Sequence, residues 1–241
     1  MYKLGGTLGV IYIFSIIIWI GIAVVYQGIL YPMENQAADQ TEWIHNALIY
    51  YSEHSWYFSI DHGSKAILFV FVAIFPVLLF TLFRKQEDEN SSILNLIGML
   101  FGVAYFIINA ASLMMQAMIM SFVMNRYTTI GSDREFARQL FEWAVHGGGL
   151  SISLYIIANL SMVIWLSTHG YILYVYMQKK KFFYFSVMLS IFLFIGTLIN
   201  FISMTIYHTN INLLNEVVSF LFIFWIAYVS YLFFKINNNS N

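Results

Sequence analysis

The sequence predicts an all-α fold: a polytopic membrane helix bundle of about six transmembrane helices, N-in/C-in, with two amphipathic helices in the outer loops. Three observations carry that prediction. The 241 residues are 60% hydrophobic and only 10% charged, with mean hydropathy +0.73. A soluble domain carries about 25% charged residues, and water would not tolerate so much apolar surface. The apolar residues are also gathered into runs of about 20 or more, the length a helix needs to cross a bilayer. Finally, the basic residues that flank these runs fall unequally on the two sides.

The runs place spans at about residues 8–30, 66–83, 96–123, 150–176, 182–207 and 213–234 of a single integral membrane domain, 1–241. The first is broken only by Ser15 and Gln27, is too long for a signal-peptide core, and has no small-residue cleavage site after it. The second contains Pro76, which predicts a kink, because proline removes a backbone donor and crowds the preceding turn. The third and fourth exceed the minimum and predict tilt, or helix emerging beyond the hydrocarbon. One side of the spans holds Lys3, Arg84, Lys85, Lys179, Lys180, Lys181 and Lys235, the other Lys65, Arg126, Arg134 and Arg138. The richer side is the cytoplasmic one.

Two loops on the other side are long, about residues 31–65 and 125–149. Asp39-Gln-Thr-Glu42 and Ser132-Asp-Arg-Glu135 each match a capping box, in which the first side chain and the glutamate satisfy opposite amides of a helix start. Trp43, Ile44, Ala47, Leu48 and Tyr51 follow the first at helical spacing, and Phe136, Leu140 and Trp143 follow the second. Both stretches read as amphipathic helices at the outer interface.

Net charge is −1 and no basic face is gathered, which excludes nucleic acid as a partner. There is no cysteine, hence no disulfide and no thiolate chemistry. No phosphate-cradling loop, nucleophile elbow or zinc-helix motif is present. Two constellations remain. The first is His62, His146 and His208, each at the outer end of a hairpin and two of them near an acid (Asp61, Glu142); they are candidate ligands for a divalent metal. The second is polarity within the spans: Asn109 and Gln116, then Asn159, Asn200 and Glu216, candidate ligand-binding residues. Amides in lipid seek partners across a bundle, and an acid at that depth is a functional hypothesis by default. Interhelical glue is the competing reading of the asparagines. Met114, Met115, Met118, Met120 and Met124 read as packing filler.

The stretch His169-Gly-Tyr-Ile-Leu-Tyr174, the short basic linker, and the fifth span with Gly196 and Asn200 resemble a six-helix bacterial membrane family, domain of unknown function 4386. Leu4-Gly-Gly-Thr-Leu-Gly-Val-Ile-Tyr12 and Leu82-Phe-Arg84 resemble it too, while the aromatic first loop and the proline-free lysine linker depart from it. The resemblance implies six helices and no particular activity.

Three function classes follow. The leading one is a protein of a cell membrane, a prokaryotic plasma membrane, that binds or transports a small molecule or lipid through a polar cavity open to the outer half. The others are a metal-dependent membrane enzyme at the outer interface, and a non-catalytic accessory or immunity-type protein whose loops contact a protein partner. The balance leans away from an enzyme.

Overall fold

The computed structural model describes residues 2–32, 40–84, 89–127, 132–145, 149–207 and 211–239. Among these residues there is no strand. The helices are α1 (Tyr2–Ala23), α2 (Gln40–Glu53), α3 (Ser55–Val72), α4 (Ile74–Phe83), α5 (Glu89–Tyr127), α6 (Ser132–Ala144), α7 (Gly149–Met177), α8 (Lys180–Ile202) and α9 (Leu213–Asn239). Two wider π-helical stretches, Val24–Leu30 and Ser203–Tyr207, end α1 and α8.

Among the described residues, six stretches are long and apolar enough to cross a membrane: Lys3–Leu30, Ser55–Phe83, Ser91–Met124, Asp133–Met177 (whose apolar part is α7), Lys180–Ile206 and Leu213–Ile236. Their surfaces suit lipid. Phe14, Ile17, Ile18, Phe71, Phe194 and Leu213 are large, apolar and exposed, which water would penalise at about 25 cal/mol per Å².

The helices outrun the hydropathy peaks. α3 begins at Ser55, well before residue 66, because the segment preceding the second apolar run is itself helical. The expected distortion at Pro76 shows as a one-residue break between α3, which ends at Val72, and α4, which begins at Ile74: Ala73 keeps helical dihedrals (φ −57°, ψ −18°) and its N–H still donates to the Phe69 carbonyl at 3.0 Å. Pro76 cannot donate to the Val72 carbonyl, and placing it in the first turn of a new helix removes that defect.

The chain divides into two compact units. The first comprises residues 1–14, 69–108 and 155–241. Its core is aromatic: Trp165 lies 5.2 Å from Trp225, 5.5 Å from Phe222 and 5.4 Å from Phe106, centroid to centroid, mostly edge to face. Such pairs add about 0.5–1.5 kcal/mol beyond the area they bury. The Trp225 indole donates to Ser186 Oγ at 2.9 Å, and Ser186 in turn donates to the Phe182 carbonyl. Small residues bring the helices close. A Cβ on Gly170 would meet Ser186 Cβ at 2.5 Å, one on Gly102 would meet Pro76 Cβ at 2.8 Å, and one on Gly196 would run into the Asn215 side chain. This is the close approach by which helices associate in lipid, where no hydrophobic effect drives them together.

The second unit comprises residues 15–68 and 109–154. Ile44 and Leu48 of α2, Phe58 of α3, Met120, Val123 and Met124 of α5, and Ala137 and Phe141 of α6 form its buried core. Met120 and Met124 therefore fill the core, while Met118 is exposed. In α6 the inward face is Ala137, Phe141 and Ala144, while Phe136 and Trp143 are exposed. The alanines let α6 sit close against α2, whose Ala47 is fully buried.

Candidate functional site: an aromatic cavity around Asp61

The second unit holds a partly open cavity of about 340 Å³. Its polar wall is one face of α3, where Asp61, His62 and Lys65 follow one another within a helical turn, joined by Gln116 of α5 and Gln27. Its apolar wall is aromatic: Trp43 and Tyr51 of α2, Tyr57 and Phe58 of α3, and Phe141 of α6.

Asp61 organises the polar wall. Lys65 Nζ, four residues on, donates to Asp61 Oδ2 at 2.6 Å, and His62 Nδ1 lies 3.3 Å from the same oxygen. The other oxygen, Oδ1, is buried and has no hydrogen-bond partner among the described residues. An unpaired carboxylate oxygen away from water is costly, about 1–3 kcal/mol. The Lys65 ammonium also lies 5.9 Å from the Trp19 ring centroid. His62 stacks on Phe58 with centroids 3.9 Å apart, and its Nδ1 donates to the Phe58 carbonyl at 3.2 Å. That bond selects the tautomer whose Nε2 carries the lone pair.

The remaining walls are held from behind. Gln116 Nε2 donates to Ser151 Oγ at 3.4 Å, and Tyr57 stacks on Tyr26 at 4.0 Å with an interplanar angle of 9°. Tyr26 in turn hydrogen-bonds His54 Nδ1 at 2.9 Å. Burial, with Tyr50 and Asp61 nearby, raises the Tyr51 hydroxyl above its usual range, so it remains a proton donor at neutral pH. Across α2, α5 and α6, the Tyr127 hydroxyl bonds His45 Nδ1 and accepts from Arg134 Nη2 at 3.4 Å. On α6 itself, Arg138 bridges Glu135 and Glu142.

The residues picked out in the sequence are distributed as follows. Gln116 lines the cavity, whereas Asn109, half-buried on α5 in the same unit, is not among its lining residues. Asn159, Asn200 and Glu216 belong to the first unit. There the Asn200 side-chain oxygen accepts from the Ile211 amide at 3.2 Å, tying the end of α8 to the start of α9. Asn159 lies beside the Tyr155 hydroxyl, which also faces Asn215 and Glu216. Glu216 is exposed in the first turn of α9, where a carboxylate complements the helix dipole. His62 lines the cavity; His146 and His208 lie outside the described residues. Among the described residues, no group of three or more His, Cys, Asp and Glu could hold a metal ion.

Sequence reasoning noted Asp61 only as a neighbour of His62, and counted Lys65 only as a loop cation. The available signal was their i, i+4 spacing, which brings the two charges onto one face once the segment is helical. Asn215, fully buried against Gly196, had no signal beyond being an amide near the start of the last span.

Family models, curated proteins and solved structures were all compared with the chain, and none matches it.

Proposed function

We propose that the chain is a multi-pass membrane protein that binds a small, neutral, ring-bearing ligand with a hydroxyl donor in the Asp61 cavity, as a receptor or carrier for it. The observation that carries this reading is the division of labour on Asp61: one oxygen is neutralised by Lys65, and the other is buried without a partner among the described residues. Because the carboxylate already has its counter-charge, a cation would be set against Lys65 and an anion against Asp61. A neutral donor such as a phenol-type hydroxyl meets neither objection, and it supplies the bond that Oδ1 lacks. Five aromatic side chains around the cavity suit a ring, and Gln116 adds an amide to orient it. With the basic faces of the spans in the cytoplasm, α2 and α6 lie on the outer side of a plasma membrane and the ligand enters from there.

The test is calorimetric, on the full chain in detergent. 4-Ethylphenol should bind saturably and 4-ethylanisole, the same ring without the donor, should bind about tenfold more weakly or worse, the loss expected for one buried hydrogen bond. Asp61→Asn should erase the difference between them. Equal binding of the two probes by the wild type, or unchanged discrimination in Asp61→Asn, refutes the reading.

A further inference from the structure

The turn between α7 and α8 carries a second site. Gln178 ends α7 in the left-handed region (φ +54°), and Lys180 N–H closes back onto the Gln178 carbonyl at 3.1 Å. This reversal presents three lysines in succession. Lys179 is half-buried, Lys180 and Lys181 are exposed, and no ion pair joins any of them to an acid among the described residues. Beside them opens a pocket of about 550 Å³, completed by Phe182, Phe185 and Tyr228. Tyr228 stacks on the buried Phe182 at 4.3 Å, and the two rings form its aromatic floor.

Three features specify an occupant. Lysines in a first turn oppose the helix dipole, and α8 has no acid there and no side-chain cap to offset them. α7 and α8 are both long enough to span a bilayer, and only Gln178 and Lys179 separate them, which puts the pocket where hydrocarbon gives way to headgroups. The lining joins cations to an aromatic, apolar floor, the two surfaces that a phosphate and its attached glycerol and upper chains present. Basic pockets between spanning helices are where anionic lipid headgroups bind.

We propose that this pocket holds the headgroup of an anionic phospholipid: the phosphate among Lys179, Lys180 and Lys181, the glycerol region over Phe185 and Tyr228. The site is independent of the Asp61 cavity, and neither needs the other.

Titration of the full chain in neutral detergent with dioctanoyl phosphatidylglycerol, followed by native mass spectrometry, tests it. The wild type and K179R/K180R/K181R should bind the lipid alike, which also shows that the turn folds without lysine. K179Q/K180Q/K181Q should bind it more weakly by about fivefold per lysine removed. K3Q/R84Q/K235Q, an equal loss of charge elsewhere, should bind as the wild type does. Undiminished binding by K179Q/K180Q/K181Q, or an equal loss in K3Q/R84Q/K235Q, overturns the proposal. So does equal binding of dioctanoyl phosphatidylcholine. Inorganic phosphate that displaces the lipid at comparable concentration makes this a free-anion site and overturns it as well.

Discussion

Lys65 Nζ sits 2.6 Å from Asp61 Oδ2 and leaves Oδ1 of the same carboxylate buried, without a hydrogen-bond partner among the described residues. The pair is half-exposed at its lysine end and nearly closed at its aspartate end, with side-chain exposures of 27% and 10%. It therefore behaves as neither a surface ion pair nor a fully buried one, and the two partners respond differently to removal.

Lys65→Met strands a largely buried carboxylate and should cost about 1–3 kcal/mol, less than a fully buried pair because water still reaches the lysine. Adding Asp61→Asn to it should restore most of the loss. Thermal unfolding of both variants in detergent measures this; a double variant no more stable than Lys65→Met would show that the cost lies in packing.

In the first unit, Gly196→Ala places a methyl group into the Asn215 side chain and should destabilise by about 1–3 kcal/mol, the usual range for overpacking. Asn215→Ala in the same chain makes room and should recover part of it. Non-additivity of the two melting shifts is the quantity to read.

Tyr127→Phe removes the hydroxyl shared by His45 and Arg134 and should cost about 1 kcal/mol. The loss should fall on α6 above all, since Arg134 of that helix loses the hydroxyl as an acceptor and keeps only the ring beneath its guanidinium and the nearby His45 Nδ1. Amide exchange in α6 should quicken while that in α8 stays unchanged.

Ser186→Ala leaves the Trp225 indole N–H buried without its acceptor, whereas Trp225→Phe leaves only a hydroxyl that still donates to the Phe182 carbonyl. The hydrogen-bond part of the cost should therefore be larger for Ser186→Ala, about 1–3 kcal/mol. Comparing Ser186→Ala in the wild-type and Trp225→Phe backgrounds isolates it by the drop in melting temperature.

The six apolar stretches were legible because membrane thickness imposes a length that hydropathy alone detects. So were the helical stretches at residues 40–53 and 132–144, from their spacing of apolar residues. What hydropathy could not see is where a helix ends once it leaves the apolar run: α3 continues outward through Asp61 and Lys65, whose i, i+4 pairing supports helix while lowering hydropathy. Which residues of α6 are buried was not legible from spacing alone: close approach to α2 favours Ala137 and Ala144 on the buried face and leaves Phe136 and Trp143 exposed. The amides were the least legible, since an asparagine that ties α8 to α9, such as Asn200, reads in sequence like one awaiting a ligand.

The turn at Gln178 also bears on how the protein is made. Only two residues part α7 from α8, too few for one helix to settle in a bilayer without the other. Insertion of the pair as a hairpin is the expected consequence. Lysines resist translocation, so replacing the three at its tip is expected to disturb the orientation in which both helices insert, as well as any lipid they hold.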